Sequence, residues 1–145
     1  MKLVLDDSIS EELKEYLLTQ EGIIDIKMTE KDYLTKLDIK HDDKITPDII
    51  MKHIELFQKN KYSILLEFAN GTKGNYKTLK YIIDDMCCDY CYRGLVMDLF
   101  ENIRVKSVKS NFDHKKRAIN IEFTIEYDEE YTEEELIDYI KEKYN

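Results

Sequence analysis

Three cysteines lie within five positions of the sequence, and thiols at this spacing could bind a metal ion or form a redox pair. They are Cys87, Cys88 and Cys91, in the stretch IIDDMCCDYCYRGLVMDLF at 82–100, and the chain has no other cysteine. Two thiols three positions apart can converge on one ion when the first lies in a loop and the second in the first turn of a helix. Thiolates bind metals, and the positive end of a helix dipole lowers the pKa of a cysteine placed there. The pattern predicts a metal site, with structural thiols and a redox pair as alternatives.

The ligand types narrow the choice of metal. Two soft sulfurs from Cys88 and Cys91 suit Cu(I), whereas Zn(II) prefers four ligands. Cys87 is a candidate third sulfur, and the carboxylates that could complete a Zn(II) site nearby are Asp84, Asp85 and Asp89. The sequence leaves Cu(I), Zn(II) and no metal at all as three outcomes.

The composition limits the partners and the compartment. The formal net charge of −9 disfavours binding to nucleic acid, because phosphate recognition relies on Lys and Arg. A hydrophobic fraction of 43% is enough for a packed core. No apolar run has the length of a membrane span, and the first ten residues, MKLVLDDSIS, turn acidic too early for a secretory signal. We therefore expect a cytoplasmic protein, in which a reducing environment keeps thiols available for metal.

An internal repeat indicates how the chain is organised. The segments 34–54 and 120–140 align without a gap. The residues that coincide are Leu37 with Phe123, Ile39 with Ile125, Asp42 with Asp128, Thr46 with Thr132, and Ile54 with Ile140. In each copy apolar residues alternate as in a half-buried strand, and a threonine then stands where the N-cap of a helix is expected. Pro47 follows the first threonine as first helical residue, and Glu135 completes a capping box with the second.

Extending the repeat outward gives each half the order strand, helix, strand, strand, helix. The stretch KYSILLEF, 61–68, supplies a final strand in the first half, whereas the second half ends before one. The predicted fold class is therefore α+β, with tandem ferredoxin-like βαββαβ repeats of which the second lacks its last strand. The predicted domains are 1–70 and 76–145. We expect this open sheet edge to be covered by the other half of the chain, by a protein partner or by a second copy in a homodimer, unless charge and shortness protect it.

The second half resembles the heavy-metal-associated domain family, the small metal-binding module of copper chaperones and of metal-pumping ATPases. The resemblance rests on the loop MCCDYC, with Met86, Cys88 and Cys91, and spans about residues 78–144. It implies metal binding through the two cysteines, with Met86 packed beneath the loop and Tyr144 flanking it. Residues 1–68 resemble the same family more faintly. With Ile9 at the position of Cys91, this implies a degenerate first domain without metal ligands.

Other motifs carry less information. His41, His53 and His114 are scattered without ligand spacing, and the chain has no Gly-rich phosphate loop and no Ser-His-Asp order, so an enzyme is not expected. The basic stretch 104–117, which contains Phe112, is predicted to be a solvated hairpin, with an acidic partner or nucleic acid as the alternative.

Two functions follow from the sequence. The first is a soluble heavy-metal-binding protein, a carrier or accessory domain that takes up Cu(I) or Zn(II) through Cys88 and Cys91. The alternative is a metal-free acidic interaction or inhibitor protein that keeps the fold and binds a protein partner.

Overall fold

The computed structural model describes residues 1–5, 11–31, 34–57, 65–71, 74–86, 89–113 and 119–144. Its helices and strands follow in the order β1 Lys2–Leu5, α1 Glu11–Leu18, β2 Ile23–Lys31, β3 Leu34–His41, α2 Pro47–Phe57, β4 Leu65–Ala69, β5 Tyr76–Asp85, α3 Asp89–Glu101, β6 Val105–Ser110, β7 Ile119–Asp128 and α4 Glu133–Tyr144. The chain divides into a first unit, Met1–Leu65, and a second unit, Leu66–Asn145.

The predicted tandem of ferredoxin-like βαββαβ repeats is wrong, because the described strands form one continuous antiparallel sheet and not a two-repeat βαββαβ arrangement. The seven described strands lie in one antiparallel sheet, in the order β2-β3-β1-β4-β6-β7-β5. Strand β4, predicted to be the final strand of the first repeat, pairs with β6, where Phe68 lies opposite Val108. Leu65, Leu66 and Phe68 are all buried, and a strand that is apolar on both faces favours an inner position. Residues 61–64 of the predicted strand lie outside the described residues.

In the first unit, β3 lies between β1 and β2. Leu37 faces Leu3 on one side and Met28 on the other, and Ile39 faces Ile26. Thr35, Leu37 and Ile39 are buried while the residues between them are exposed, which confirms the predicted period-two pattern. The helices of this unit bury Leu13, Leu17, Ile50, Met51 and Ile54.

In the second unit, β7 is the inner strand and pairs with β6 and β5. Ile125 of β7 lies opposite Val108 of β6 and opposite Leu79 of β5. The predicted helix face of Leu95 and Leu99 is buried, as are Leu136 and Ile140 of α4. The apolar spacing therefore identified the core-facing positions of both units correctly, although it did not identify which strands are neighbours.

The loop and helix cap predicted by the repeat are present in both units. Asp42 Oδ1 accepts the backbone N–H of Lys44 at 2.8 Å, and Asp128 Oδ1 accepts that of Glu130 at 3.0 Å. Helix α2 begins at Pro47, and its cap is long, with Ile49 N donating to Thr46 Oγ1 at 3.4 Å. The cap of α4 is a full capping box, since Glu135 N donates to Thr132 Oγ1 at 3.0 Å and Thr132 N donates back to Glu135 Oε1 at 3.4 Å.

The two helix caps differ in the length of their hydrogen bonds, so we predict that they contribute differently to the free energy of unfolding. Thr132→Ala should lower the free energy of unfolding by about 1 kcal/mol, because the α4 cap loses a well-formed bond. Thr46→Ala should cost less, since its bond is longer. Urea unfolding followed by circular dichroism measures both, with Thr132→Ser as the control that keeps the hydroxyl. A Thr46→Ala cost equal to or above that of Thr132→Ala would contradict this ranking.

Candidate functional site

The thiol segment lies where β5 gives way to α3. Strand β5 ends at Asp85, Met86 follows, and α3 begins at Asp89, so Cys91 occupies the first turn of a 13-residue helix. Cys91 is half-buried, and its sulfur is in a disulfide. The other predicted ligands, Cys87 and Cys88, lie outside the described residues, as does Ile9. The metal site itself therefore stays a prediction.

The two residues predicted to support the loop, Met86 and Tyr144, belong to the described part of the chain. Met86 is 2% exposed, so its side chain packs into the core directly before the thiols. The hydroxyl of Tyr144, the last residue of α4, donates to the backbone oxygen of Asp85 at 3.0 Å. Tyr139 on the same helix donates to the backbone oxygen of Asp98 in α3 at 2.7 Å. Helix α4 is thus hydrogen-bonded both to the end of β5 and to α3.

The residue after Cys91 fixes the start of α3 in the core. Tyr92 is fully buried and lies between two parallel rings, Phe112 at 4.0 Å and Phe123 at 5.4 Å between centroids. Its hydroxyl donates to the backbone oxygen of Leu66 at 2.8 Å. Because that proton is committed, the hydroxyl of Ser110, 2.5 Å away, is the donor to the Tyr92 oxygen.

This arrangement changes the interpretation of Phe112. The backbone N–H of Phe112 donates to Ser110 Oγ at 3.1 Å, which extends the hydrogen-bond chain that begins at Leu66. The ring of Phe112 is half-buried against Tyr92 and packs as part of the core. The sequence offered a solvated hairpin or a binding surface for this stretch. An aromatic residue just after a predicted strand could have suggested that Phe112 packs in the core. The sequence could not have named its partner, because Tyr92 is 20 positions away.

The histidines that the structure describes lie within hydrogen-bonding distance of nearby groups. His53 Nδ1 lies 3.0 Å from the hydroxyl of Tyr16, and His41 Nδ1 lies 2.9 Å from the backbone oxygen of Asp42. Among the described residues, no group of three or more His, Cys, Asp or Glu side chains is placed to hold a metal ion. His114 lies outside the described residues. His41 and His53 therefore add no second candidate site.

An acidic depression of about 230 Å³ lies beside the loop after β7. It is lined by Gly74, Asn75, Tyr76, Lys106, Asp128, Glu129 and Glu130. The backbone N–H of Glu130 is the first cause that holds the pKa of Asp128 below its ordinary value, and the charges of Arg104 and Lys106 act in the same direction. Arg104 Nη1 lies 3.5 Å from Asp128 Oδ2 and 3.9 Å from Glu130 Oε2. These carboxylates shape the turn before α4 and are balanced by basic neighbours.

Comparisons of the chain with family models, with curated proteins and with solved structures found no match. None of the helices in the described ranges combines the length and the apolar character that crossing a membrane requires.

Two tyrosines with raised pKa values, Tyr92 and Tyr139, predict a loss of stability in alkali. Burial raises the pKa of Tyr92 well above its ordinary value of 10.0, and burial, followed by the nearby carboxylate of Asp98, raises the pKa of Tyr139 to about 12. Because these folded-state pKa values exceed the unfolded value, the stabilisation is complete below about pH 10, declines as the pH rises above 10, and is lost once the pH has passed the folded values. Urea unfolding at pH 8 to 11 measures this.

Tyr92→Phe separates the hydroxyl from the ring. It should lower stability at pH 8 by about 1 kcal/mol for each lost hydrogen bond and should flatten the alkaline decline. Phe112→Leu is the control, because it removes a stacked ring but keeps the hydroxyl, so its decline should stay as steep as that of the wild type. If the free energy of unfolding falls equally steeply with pH in the wild type and in Tyr92→Phe, the Tyr92 phenol is not the cause.

Proposed function

We propose that this protein is a thiol-dependent heavy-metal-binding protein of the cytoplasm, a carrier or accessory domain in which Cys88 and Cys91 bind one Cu(I) or Zn(II) ion. The observation that carries the proposal is the disulfide of Cys91. A disulfide requires a second cysteine sulfur within bonding distance. After reduction the same neighbourhood offers two adjacent soft ligands, which is the donor set that Cu(I) prefers.

The surroundings of Cys91 favour its thiolate form once it is reduced. The first turn of α3 is the positive end of the helix dipole, which favours a negative charge there. Tyr92 holds this turn in the core and Met86 anchors the chain just before it.

Reduction is part of the proposed function, because a sulfur in a disulfide carries no thiolate for a metal. Reduction of one disulfide takes two electrons and two protons, which the dithiol and glutathione systems of the cytoplasm supply. Cys87 is the third sulfur in this proposal, a ligand that Zn(II) would recruit and that two-coordinate Cu(I) would not need. Catalysis is no part of the proposed function.

A second candidate, protein binding without metal, is favoured by a separate observation. Among the described strands β5 is the last of the sheet, and its Ile82 is 56% exposed. An apolar residue on an edge strand is a typical docking position for another strand. This candidate does not depend on the thiols.

Metal titration decides between the two candidates. Reduced protein titrated anaerobically with Cu(I) or Zn(II) should bind about one ion per chain, and binding should weaken as the pH falls because protons compete for the thiolates. The oxidised protein should bind far less, since three cysteines with one disulfide leave one free thiol. Equilibrium dialysis against a chromophoric chelator measures the affinity.

Three variants complete this experiment. Cys88→Ser with Cys91→Ser should abolish binding, and Cys87→Ser is the matched control that also removes one thiol. Cys87→Ser should have little effect on Cu(I) and should weaken Zn(II) binding if a third sulfur is used. A double variant that binds either ion as tightly as the wild type would contradict the metal proposal and leave protein binding as the function.

A further inference from the structure

The two edge strands of the sheet differ in how well they are protected. Strand β2, at one end, has a register shift between Ile23 and Asp25 and carries charges at Asp25, Lys27, Glu30 and Lys31. Bulges and charges are the usual protection of an edge against another strand. Strand β5, at the other end, pairs with β7 without interruption from Tyr76 to Ile83.

The middle of β5 is apolar. From Leu79 to Ile83 its only charged residue is Lys80, and Ile82 is 56% exposed on the face opposite the core. Within the described part of the chain, β7 is the only strand that pairs with β5. A ten-residue edge with an apolar centre is suited to pair with another strand.

The charges of β5 are segregated along its length. Lys77 and Lys80 lie in its first half, whereas Asp84 and Asp85 lie at its end. If two copies of this strand pair antiparallel, the basic half of each lies beside the acidic end of the other. Opposite charges across an antiparallel pair stabilise it, and like charges destabilise it. A parallel arrangement would instead place like charges together.

We propose that β5 pairs antiparallel with β5 of a second copy of this chain, about a two-fold axis perpendicular to the sheet at Tyr81. Residues directly opposite each other in an antiparallel pair point to the same face, so this axis pairs odd positions with odd and even with even. On the face that carries the buried residues of β5, the resulting pairs are Tyr81 with Tyr81, Leu79 with Ile83, and Lys77 with Asp85.

The same register also gives favourable pairs on the other face of β5, the face that carries the exposed Ile82. There Lys80 lies opposite Ile82 of the second copy, where its aliphatic stem covers the exposed side chain, and Thr78 lies opposite Asp84. The neighbouring register, centred on Lys80, would place two lysines directly opposite each other. The interface is confined to one strand, so we expect a Kd on the order of micromolar or weaker.

This inference deepens the second candidate function and makes no use of the thiols. It is tested with reductant and chelator present, so that neither disulfides nor metal can join two chains. Metal binding and dimer formation are then separate results, and either can fail without the other.

Ile82→Lys tests the register. In the proposed dimer the new lysine of each copy lies opposite Lys80 of the other copy, so two pairs of like charges oppose each other. Within its own chain position 82 lies opposite Glu122, so a lysine there does not oppose folding. The dimer Kd should rise about tenfold or more. Ile24→Lys on β2 is the matched control, with 55% exposure in the wild type, and should dimerise as the wild type does.

Adding Lys80→Glu to Ile82→Lys should restore the dimer, because glutamate then faces lysine across the axis. Sedimentation equilibrium at up to a few hundred micromolar protein distinguishes a 17.4 kDa chain from twice that mass, and circular dichroism checks folding. Ile82→Thr, which keeps the β-branch, should weaken the dimer if Ile82→Lys proves unfolded.

Three results would overturn the proposal. The first is a wild-type monomer throughout this range, whether or not β5 accepts a strand of some other protein. The second is equal dimerisation of Ile82→Lys and Ile24→Lys. The third is a double variant that folds and stays monomeric.

Discussion

The burial of Tyr92 is the interaction on which the candidate site depends. Its ring is stacked between Phe112 and Phe123, and its hydroxyl is bonded to Leu66 and Ser110. Each aromatic pair contributes about 0.5–1.5 kcal/mol and each hydrogen bond about 1 kcal/mol. Together these contacts fix α3 against β4, β6 and β7. The position of Cys91, one residue earlier, is a consequence of that packing.

The thiol segment and the open edge are neighbours in the chain. Strand β5 ends at Asp85, where Tyr144 donates to the backbone, and Met86 enters the core before the cysteines. In the proposed dimer, Asp85 lies opposite Lys77 of the second copy, so each thiol loop follows directly from one end of the interface. Metal binding and self-association would therefore involve adjoining stretches of one segment, while each relies on different side chains.

Local features could be predicted from the sequence because their causes lie within a few residues. The capping box of Thr132 and Glu135, the turns at Asp42 and Asp128, and the alternation along β3 depend on short-range bonding and on which face is buried. The neighbour of β4 could not be predicted in this way. Its apolar residues show that both of its faces are buried, but pairing with β6 joins residues about 40 positions apart, and local patterns carry no information on such partners.

The candidate site was predictable only in part for the same reason. The spacing of the cysteines placed Cys91 correctly in the first turn of α3. The family resemblance directed attention to Met86, which is buried, and to Tyr144, which donates to the backbone of Asp85. The stacking of Tyr92 on Phe112 joins a helix to the end of a distant strand, and composition suggested a charged hairpin there instead. Aromatic packing between distant parts of the chain therefore positions Cys91, although the spacing of the cysteines is a local pattern.

X-ray absorption at the metal edge of the reduced, metal-loaded protein tests most directly whether sulfurs at the start of α3 bind one soft ion. We expect at least two sulfur scatterers per ion, at about 2.3 Å if the ion is Zn(II). This sulfur shell should be absent when Cys88 and Cys91 are replaced by serine. A first shell of oxygen and nitrogen alone, or a sulfur shell that survives the double substitution, would contradict the proposed site.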